Sequence, residues 1–534
     1  MKRTGVVVGG VALLVMLGGV AAWAARGGAP TGRGGLVTLT GTLEGWVQED
    51  FESGTSKVTY RLKERAKGEE SPRVLTLEFP GIIEGAPFGM DIRVTGILVG
   101  DTLKVQGPWG VVDKPKKPGD VAGSHAEDVR VHRMIVIISD LTDLDFPCTV
   151  EETEFVVFGD QDESVQRYYW EQSYHQFDLQ GLVVGPYPIT ESTSTCNPNR
   201  WVRKAEDFAE EDPVVDAAGG LNSFDTKYYV FPETSDPDCR GAFGGIGGDE
   251  AVMFGGCVDH GFAHEMGHNL GLQHAFADVP GCPAPGVGAY CDRSDTMGDM
   301  TGLGLVHWHF NAPHKVQMEW IPDGPAPAAD RLLQVTQSGL YTISLFEYDI
   351  PGANQVLQLN GFLSGNSKLW ISYRTGFGAF GENLESSYKP RMHVNSWAGG
   401  FGGTHFLGDG NNLTAWVDGH TFAAPNNTVC ITMVSHTTQY AHIWVSVGCQ
   451  QAAPPACPSV NPCNGTSCVQ GAETGSSNTG LGQCVTDAGT LLTCTGETVH
   501  VVSTNCNKGA CCFQQPFPCI CPQTCPSGQY LDCR

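Results

Sequence analysis

Four residues within eleven positions have the types and spacing of a metal centre: His264, Glu265, His268 and His274. Residues four apart lie on one face of a helix, so His264 and His268 can direct two imidazoles at one ion. Gly271 can adopt a positive φ and end the helix, after which the turning chain brings His274 to the same ion. Three protein ligands would leave one position open to water, as in a catalytic rather than a structural zinc site.

Glu265 follows the first histidine by one position, where its carboxylate can reach a water molecule on the metal. Zinc lowers the pKa of such a water to about 7 and polarises a carbonyl group. Glu265 would then accept the proton and later pass it to a leaving amine. The residues therefore predict amide hydrolysis with one catalytic Zn²⁺, although other divalent ions accept the same ligands.

Two downstream segments extend this motif: residues 294–298 (SDTMG) and residues 311–320 (NAPHKVQMEW). The histidine motif followed by the SDTMG turn resembles the metzincin metallopeptidases. Together with the NAPH segment and Trp320 it is similar to the gametolysin family, known for algal cell-wall lytic proteases. Residues 164–174 (SVQRYYWEQSY) are similar to an early helix of that family. The resemblance covers about residues 130–320 well and the following region loosely.

The resemblance implies that His264, His268 and His274 are the zinc ligands and that Glu265 is the general base. It implies that Met297 packs beneath the metal without binding it. It also implies that the substrates are peptide bonds of extracellular or cell-wall glycoproteins. No specificity pocket can be read from the sequence.

Several neighbouring residues have two interpretations each. Asp295 and Asp299 are candidates to hydrogen-bond a ligand histidine, although capping of loop turns is the simpler role. Asp299 stands where some metzincins have a tyrosine that supports the oxyanion, so the oxyanion donor is not assigned. His314 is expected to be structural. Cys148 could hold zinc in a latent form, but a disulfide is favoured, and no cysteine precedes it.

Composition narrows the classes of partner and the compartment. The formal net charge of −26 disfavours nucleic acid and anionic membrane surfaces. Lys2 and Arg3 precede an apolar run that ends in small residues at Ala24, which predicts a signal peptide over residues 1–24 and secretion, with no stable membrane association after cleavage. The 20 cysteines of an exported chain favour disulfides. Cys430 and Cys449 are the best single pairing. The oligomeric state is not predicted.

The fold class expected is multidomain α+β. A metzincin-like catalytic domain (130–325) would lie between a β-rich N-terminal domain (36–112), whose short alternating strands favour a small β-barrel, and a C-terminal β-sandwich (330–449). A Cys-rich module (457–534) would follow. The N-terminal domain is either a removable prosegment or a permanent substrate-docking domain; a prosegment would have a cleavable linker near residues 114–117 (KPKK).

Two further interpretations remain open at this level. Asp236, Asp238, Asp249 and Glu250 could bind Ca²⁺, yet they match no known calcium-loop spacing. The chain could also be an extracellular adhesin or carbohydrate-binding protein with a vestigial zinc site. The intact Glu265 argues for the peptidase.

Overall fold

The computed structural model describes most of the chain from Leu36 to Gln450 and six short strands beyond it. The described ranges are 36–50, 55–64, 73–80, 83, 86–112, 129–161, 163–279, 282, 291–298, 308–322, 331–350, 352–400 and 402–450. The expected signal peptide, the linker near residue 115, Asp299 and most of the Cys-rich module lie outside them. Among the described residues, no helix has the length and apolar character needed to cross a membrane.

Five N-terminal strands each pair with at least two others of their set. β1 pairs with β2 and β4, β3 pairs with β2 and β5, and β4 pairs with β5. Their inward side chains, including Leu43, Val47 and Leu62, form one apolar core. These N-terminal strands are β1 (Leu36–Asp50), β2 (Thr55–Glu64), β3 (Val74–Glu78), β4 (Asp91–Val99) and β5 (Thr102–Val111).

Among the described residues, the central unit contains five more strands and six α-helices. Its strands belong to the same ten-stranded sheet as the N-terminal strands. Its strand order is β9-β10-β8-β6-β7, and β9 is antiparallel to β10 while the other neighbours are parallel. The elements are β6 (Arg130–Asp140), α1 (Val150–Phe158), α2 (Val165–Gln172), β7 (Phe177–Pro188), α3 (Pro198–Glu210), α4 (Pro213–Ala217), β8 (Thr226–Phe231), β9 (Ala242–Ile246), β10 (Glu250–Phe254), α5 (Asp259–Asn269) and α6 (Ala312–Gln317).

Strands β6, β8, β9 and β10 are largely buried on both faces, as their continuous apolar runs predict, whereas β7 at the edge is partly exposed. In β6, Met134, Val136 and Ile138 face one core, whereas Ile135 and Ile137 face another. The first core includes side chains of α2 and α5, and the second includes those of α3 and α4. The helix that carries the histidine motif therefore packs on one defined face of the sheet.

The N-terminal strands and the central unit share one sheet through the pairing of β1 with β9. Five residue pairs join them antiparallel, from Gly45 opposite Ile246 to Glu49 opposite Ala242. Without β1, β9 would be an edge strand with unpaired backbone groups. The sequence predicted separate N-terminal and catalytic regions, and the shared ten-stranded sheet was not expected.

Two C-terminal sheets enclose a common apolar core that includes Ile343, Ile371, Ile431 and Ile443. One sheet has the order β11-β17-β16-β15-β14-β12 and the other has the order β13-β20-β19-β18. The strands are β11 (Ala275–Ala277), β12 (Leu332–Val335), β13 (Gly339–Ser344), β14 (Val356–Asn360), β15 (Lys368–Arg374), β16 (Arg391–Trp397), β17 (Thr404–Phe406), β18 (Thr421–Ala423), β19 (Val429–His436) and β20 (Tyr440–Val447).

The tail contributes three two-stranded pairings. Their strands are β21 (Cys463–Asn464), β22 (Ser467–Cys468), β23 (Leu481–Val485), β24 (Leu491–Thr495), β25 (Cys512–Gln514) and β26 (Gln529–Leu531).

Disulfides link the eight cysteines that precede the tail. Cys430 pairs with Cys449, which confirms the pairing predicted from the sequence. Cys148 pairs with Cys257, two residues before α5, so its disulfide interpretation is also confirmed. The other two are Cys196–Cys239 and Cys282–Cys291. The molecule is thus a mostly β, multidomain protein with few helices and several disulfides.

Candidate metal centre

Helix α5 is buried almost throughout, although half of its side chains are polar. Residues from His260 to Asn269 are all buried. Tyr169 and Tyr228 donate hydrogen bonds from their hydroxyls to the carbonyls of Ala263 and Phe262, at 2.8 and 3.1 Å, and so hold the helix on the sheet. The helix ends before Gly271, whose φ of +98° favours glycine, as predicted. Buried imidazoles and carboxylates in such a helix require partners.

The three histidines of the motif converge. The ring centroids of His264 and His268 are 4.9 Å apart, those of His268 and His274 are 4.9 Å apart, and those of His264 and His274 are 5.5 Å apart. The helical spacing places the first two together, and the turn after Gly271 brings the third. The structure thus assembles the trio that the sequence singled out.

Backbone carbonyls orient two of the rings. His264 donates from Nδ1 to the carbonyl of Thr296 at 2.8 Å, and His268 donates from Nδ1 to that of Leu272 at 2.9 Å. A carbonyl only accepts, so each Nδ1 carries the proton and each Nε2 keeps a lone pair for a metal. The Nδ1 atom of His274 lies 3.4 Å from the hydroxyl oxygen of Ser56, which belongs to β2.

A fourth side chain, Glu49 of β1, lies among the three rings. Its Oε1 atom is 2.6 Å from Nε2 of His274, 3.3 Å from Nε2 of His268 and 3.7 Å from Nε2 of His264. Ligands about 2 Å from one zinc ion in a tetrahedron are about 3.3 Å from each other, so the three distances bracket the value expected. One donor atom from each of the four residues lies within 4.8 Å of all the others. We call these residues the metal group.

This arrangement corrects one expectation. The sequence predicted three protein ligands and an open fourth position, but in the structure Glu49 stands at that position. The absence of cysteine before Cys148 excluded only a thiolate from the N-terminal region, and Glu49 supplies a carboxylate instead. A group of four protein donors is closed to water.

The pKa shifts of residues in the metal group favour the protonation states that bind a doubly charged metal ion. Burial lowers the pKa of His268 to about 4, and burial also lowers the pKa of His274. Burial by itself would raise the pKa of Glu49, but the three imidazoles around its carboxylate, that of His274 above all, hold it well below its usual value. Neutral imidazoles and an ionised carboxylate are the forms that bind a metal. The donor set fits a metal ion, whose identity the donors alone do not determine.

Glu265 lies beside this group without joining it. It is fully buried, and neither of its carboxylate oxygens has a hydrogen-bond partner among the described residues. Burial and the charge of Glu49 raise its pKa well above the usual value. A Cβ atom at Gly244 of β9 would lie 2.2 Å from Oε2 of Glu265, so the carboxyl lies against the β9 backbone. A buried carboxyl with no protein partner is unusual in a folded protein and marks a candidate functional group.

The turn that contains Met297 forms the floor beneath α5. A Cβ atom at Gly267 would lie 2.4 Å from the Met297 sulfur, so the two pack closely. Asp295 accepts hydrogen bonds from the backbone N–H groups of Met297 and Asn311, both at 2.6 Å, and from Nδ1 of His314 at 2.9 Å. Asp295 therefore organises the turn and does not contact a ligand histidine. His314 takes the structural position expected of it.

Other ionisable residues of the central unit, including the acids considered for Ca²⁺, lie apart from the metal group. His309 contacts Glu171 at 2.9 Å and Lys315 at 3.0 Å. Asp249 forms ion pairs with Lys63 and Lys227. Among the described residues, the acids that could have bound Ca²⁺ do not form a group of three with metal-binding geometry.

Glu49 is the functional residue that the sequence analysis missed, although a signal was present. In β1, Leu43 and Val47 alternate inward, and Glu49 continues the same period of two. A carboxylate at an inward position predicts a buried charge that needs a partner. The spacing of β1 therefore identifies an unusual acid, but the identity of its partners depends on the pairing with β9.

Comparisons with known proteins add no functional assignment. No protein-family model matches the chain, and no curated protein matches it. One similar solved structure is described as "Structure of a chaperone-substrate complex", with a TM-score of 0.18 and 15% identity. The match covers 43% of this chain and 37% of the other, so it spans well under half of that protein. A similarity this low carries no argument about fold or function.

Proposed function

We propose that this protein is a secreted zinc-dependent endopeptidase of extracellular or cell-wall glycoproteins, with His264, His268 and His274 as metal ligands and Glu265 as general base. The single observation that carries the proposal is the position of Glu265. It is a fully buried carboxyl beside three converging imidazoles, and none of the described residues hydrogen-bonds to its oxygens. A purely structural metal site has no use for such a group.

The chemistry divides between the metal and the protein. Bound zinc would polarise the scissile carbonyl and supply water of lowered pKa. Glu265 would accept a proton from that water and then donate it to the leaving amine. The carbonyls of Thr296 and Leu272 would keep His264 and His268 in the tautomer that binds metal. If β1 were displaced, the backbone of β9 would be free to hold an extended substrate by strand pairing.

The finer assignment is to the metzincins, with a gametolysin-like sequence. The close packing of Met297 beneath α5 supports it, as do the positions of Asp295 and His314 in the turn. We also assign the five N-terminal strands to a small β-barrel, because their pairings run in a closed circuit. Secretion is supported by the four disulfides of the described region and by the N-terminal sequence.

A second candidate is favoured by Glu49. Four protein donors are typical of a structural zinc site, so the chain could be an extracellular binding protein whose metal only stabilises the fold. The adhesin or carbohydrate-binding interpretation is of this kind. This interpretation does not explain why the carboxylate oxygens of Glu265 lack a hydrogen-bond partner among the described residues, and we therefore place it second.

The test compares hydrolysis and metal content in the same samples. A site for a sequence-specific protease is inserted between residues 113 and 128, the protein is cut, and the products of a casein digest are identified by mass spectrometry. We expect new amino termini, loss of activity with a chelator and recovery with zinc. Glu265→Gln should reduce kcat by roughly 10²- to 10⁴-fold while it keeps the metal.

Glu206→Gln is the matched control. Glu206 is a half-buried acid on the opposite face of the central sheet, where it accepts a hydrogen bond from Tyr229 at 2.7 Å. This variant should keep full activity. Equal activity of Glu265→Gln and the wild type would eliminate Glu265 as the base. A cut, zinc-loaded protein that hydrolyses no peptide would favour the structural site.

A further inference from the structure

Helix geometry and the turn at Gly271 bring His274 to the metal group, but His274 itself lies outside α5. We propose that Gly403 and Thr404, where β17 of the C-terminal sheets begins, are positioning residues that hold the backbone of this third ligand. The inference rests on the metal-binding part of the proposed function and not on peptide hydrolysis. Zinc binding therefore tests it independently of the peptidase assignment.

The first observation is the strand that follows His274. β11 begins at the next residue and pairs in parallel with β17, with Ala275 opposite Thr404. The backbone N–H of Thr404 donates to the carbonyl of His274 at 3.3 Å. On the other side, the N–H of Ala275 donates to the carbonyl of Met297 at 2.9 Å. The backbone that carries the third imidazole is therefore held between the turn beneath α5 and a strand from much later in the chain.

The second observation is the glycine directly before β17. A Cβ atom at Gly403 would lie 2.4 Å from the ring of Phe276 and 3.0 Å from the carbonyl oxygen of His274. Non-bonded carbon atoms pack about 3.5–4.0 Å apart, so a side chain here would push β11 and β17 apart. The Phe276 ring can rotate, whereas the carbonyl belongs to the backbone of the ligand. At Gly402 a Cβ atom would lie 3.5 Å from its nearest neighbour, which is an ordinary contact.

The third observation is the hydroxyl group of Thr404. This side chain is fully buried, and its Oγ1 atom accepts a hydrogen bond from Nδ2 of Asn311 at 2.7 Å. The backbone N–H of Asn311 donates to Asp295, which organises the turn that contains Met297. Thr404 thus joins β17 to the same turn, and both contact the backbone around His274.

The other two histidines of the metal group are held differently. His264 and His268 lie on α5, and the carbonyls of Thr296 and Leu272 orient their rings. The donors of a metal site need to stay within about 0.5 Å of the productive geometry. Contacts with β17 therefore act chiefly on one ligand, His274, and a change at Gly403 or Thr404 should affect zinc through that ligand.

The experiment uses the uncut full chain. Competition with a chromophoric chelator measures zinc affinity, and the visible absorption of the Co²⁺-loaded forms reports the coordination. Gly403→Ala displaces β17, and Gly402→Ala is its matched control. Thr404→Val keeps the shape of the side chain but removes the acceptor for Asn311, and Thr404→Ser restores it. Circular dichroism and thermal melting of the zinc-free variants show which of them fold.

We expect Gly403→Ala to weaken zinc binding by about 100-fold and Thr404→Val by about 10-fold, each with an altered Co²⁺ spectrum, because groups that orient metal ligands contribute about 10- to 100-fold in affinity. Gly402→Ala and Thr404→Ser should bind zinc as the wild type does.

A double-mutant cycle separates the positioning of His274 from a general loss of stability. In the His274→Ala background the third imidazole is absent, so Gly403→Ala should change the remaining zinc affinity by less than about 2-fold. In the His264→Ala background His274 still binds, so Gly403→Ala should weaken zinc binding by about 10-fold or more.

Two results would overturn the inference. One is a zinc affinity and a Co²⁺ spectrum that are the same in Gly403→Ala and Gly402→Ala. The other is an equal loss of affinity in the wild-type and His274→Ala backgrounds, which would show that Gly403 acts on the whole fold. Thr404→Val, compared with Thr404→Ser, gives the same decision where Gly403→Ala does not fold. If the zinc affinities change as expected but no form, cut or uncut, cleaves peptide, the positioning role is supported and the peptidase proposal fails.

Discussion

Two regions meet at the metal group, and they differ in how they are held there. The segment from α5 to His274 supplies three donors from eleven consecutive positions, fixed by helix geometry, a glycine turn and the floor around Met297. β1 supplies one donor from 215 positions earlier in the chain, fixed by its pairing with β9 and by buried apolar contacts such as that of Trp46 with Phe243. The first region is set by local geometry and the second by pairing between distant segments. We call them the histidine half and the strand half of one site.

The largest effect should follow from damage to the turn beneath the histidine half. Asp295→Ala would leave Nδ1 of His314 and two backbone N–H groups buried without an acceptor. At about 1–3 kcal/mol for each lost partner, we expect the central unit to lose about 4 kcal/mol of unfolding free energy. Calorimetric melting checks this. Asp278→Ala, which removes an exposed ion pair with His405, should lower the free energy of unfolding by less than about 1 kcal/mol. Similar losses in both variants would contradict the role of Asp295.

The next effect separates the two halves by the sign of their influence on activity. Zinc sites of four donors bind with about 10–16 kcal/mol, so one donor accounts for about 3 kcal/mol, or about 100-fold in affinity. His268→Ala should weaken zinc binding by about that factor and abolish hydrolysis. Glu49→Ala should weaken binding less, because water can replace the carboxylate, and should raise hydrolysis by the uncut chain. Competition with a chromophoric chelator measures the zinc affinities. Equal effects of His268→Ala and Glu49→Ala on hydrolysis would show that the two halves do not differ in their influence on activity.

A smaller effect tests the contact between β9 and Glu265. In Gly244→Ala the new Cβ would lie 2.2 Å from Oε2 of Glu265, whose flexible end can move aside. We expect the metal to stay bound and hydrolysis by the cut protein to fall about 100-fold, because the base is displaced by about 1 Å. At Gly245 the nearest atoms are 3.3 Å or more away, so Gly245→Ala is the control and should remain active. Full activity of both variants would contradict the assignment of Glu265 as the general base.

The smallest effect concerns the stability of the strand half. Burial, opposed by Lys63, raises the pKa of Glu44 to about 7. A carboxyl whose pKa is higher in the folded state favours folding at low pH, and this contribution is lost as the pH rises from 4.5 through 7. Glu44→Gln should remove that dependence and stabilise the N-terminal strands at pH 8 by about 2 kcal/mol relative to wild type. Thermal melting between pH 5 and pH 8 measures it, and parallel curves for both proteins would refute the assignment.

Several elements could be predicted because their signals are local. The helix predicted from the spacing of His264 and His268 corresponds to α5, and it ends before Gly271 as expected. Cys430 and Cys449 could be paired because they flank two neighbouring strands, β19 and β20. In each case, periodicity or a short loop restricts the chain to few conformations.

The partners of Glu49 could not be predicted in the same way. Its inward position in β1 is readable from the alternation with Leu43 and Val47, but the spacing does not say which strand β1 joins. The strands β9 and β10 contain glycines and short apolar runs, and they were not singled out as strands. The strand edge that β1 pairs with could therefore not be identified from the sequence.

The amino-acid sequence by itself determined that three imidazoles and a carboxyl group would gather near one ion, since a helical turn and a glycine suffice to place them. Only the tertiary structure decided that a second carboxylate, from the far end of the chain, would close that site. Strand pairing between distant segments depends on the shape of both surfaces, and no local pattern encodes it.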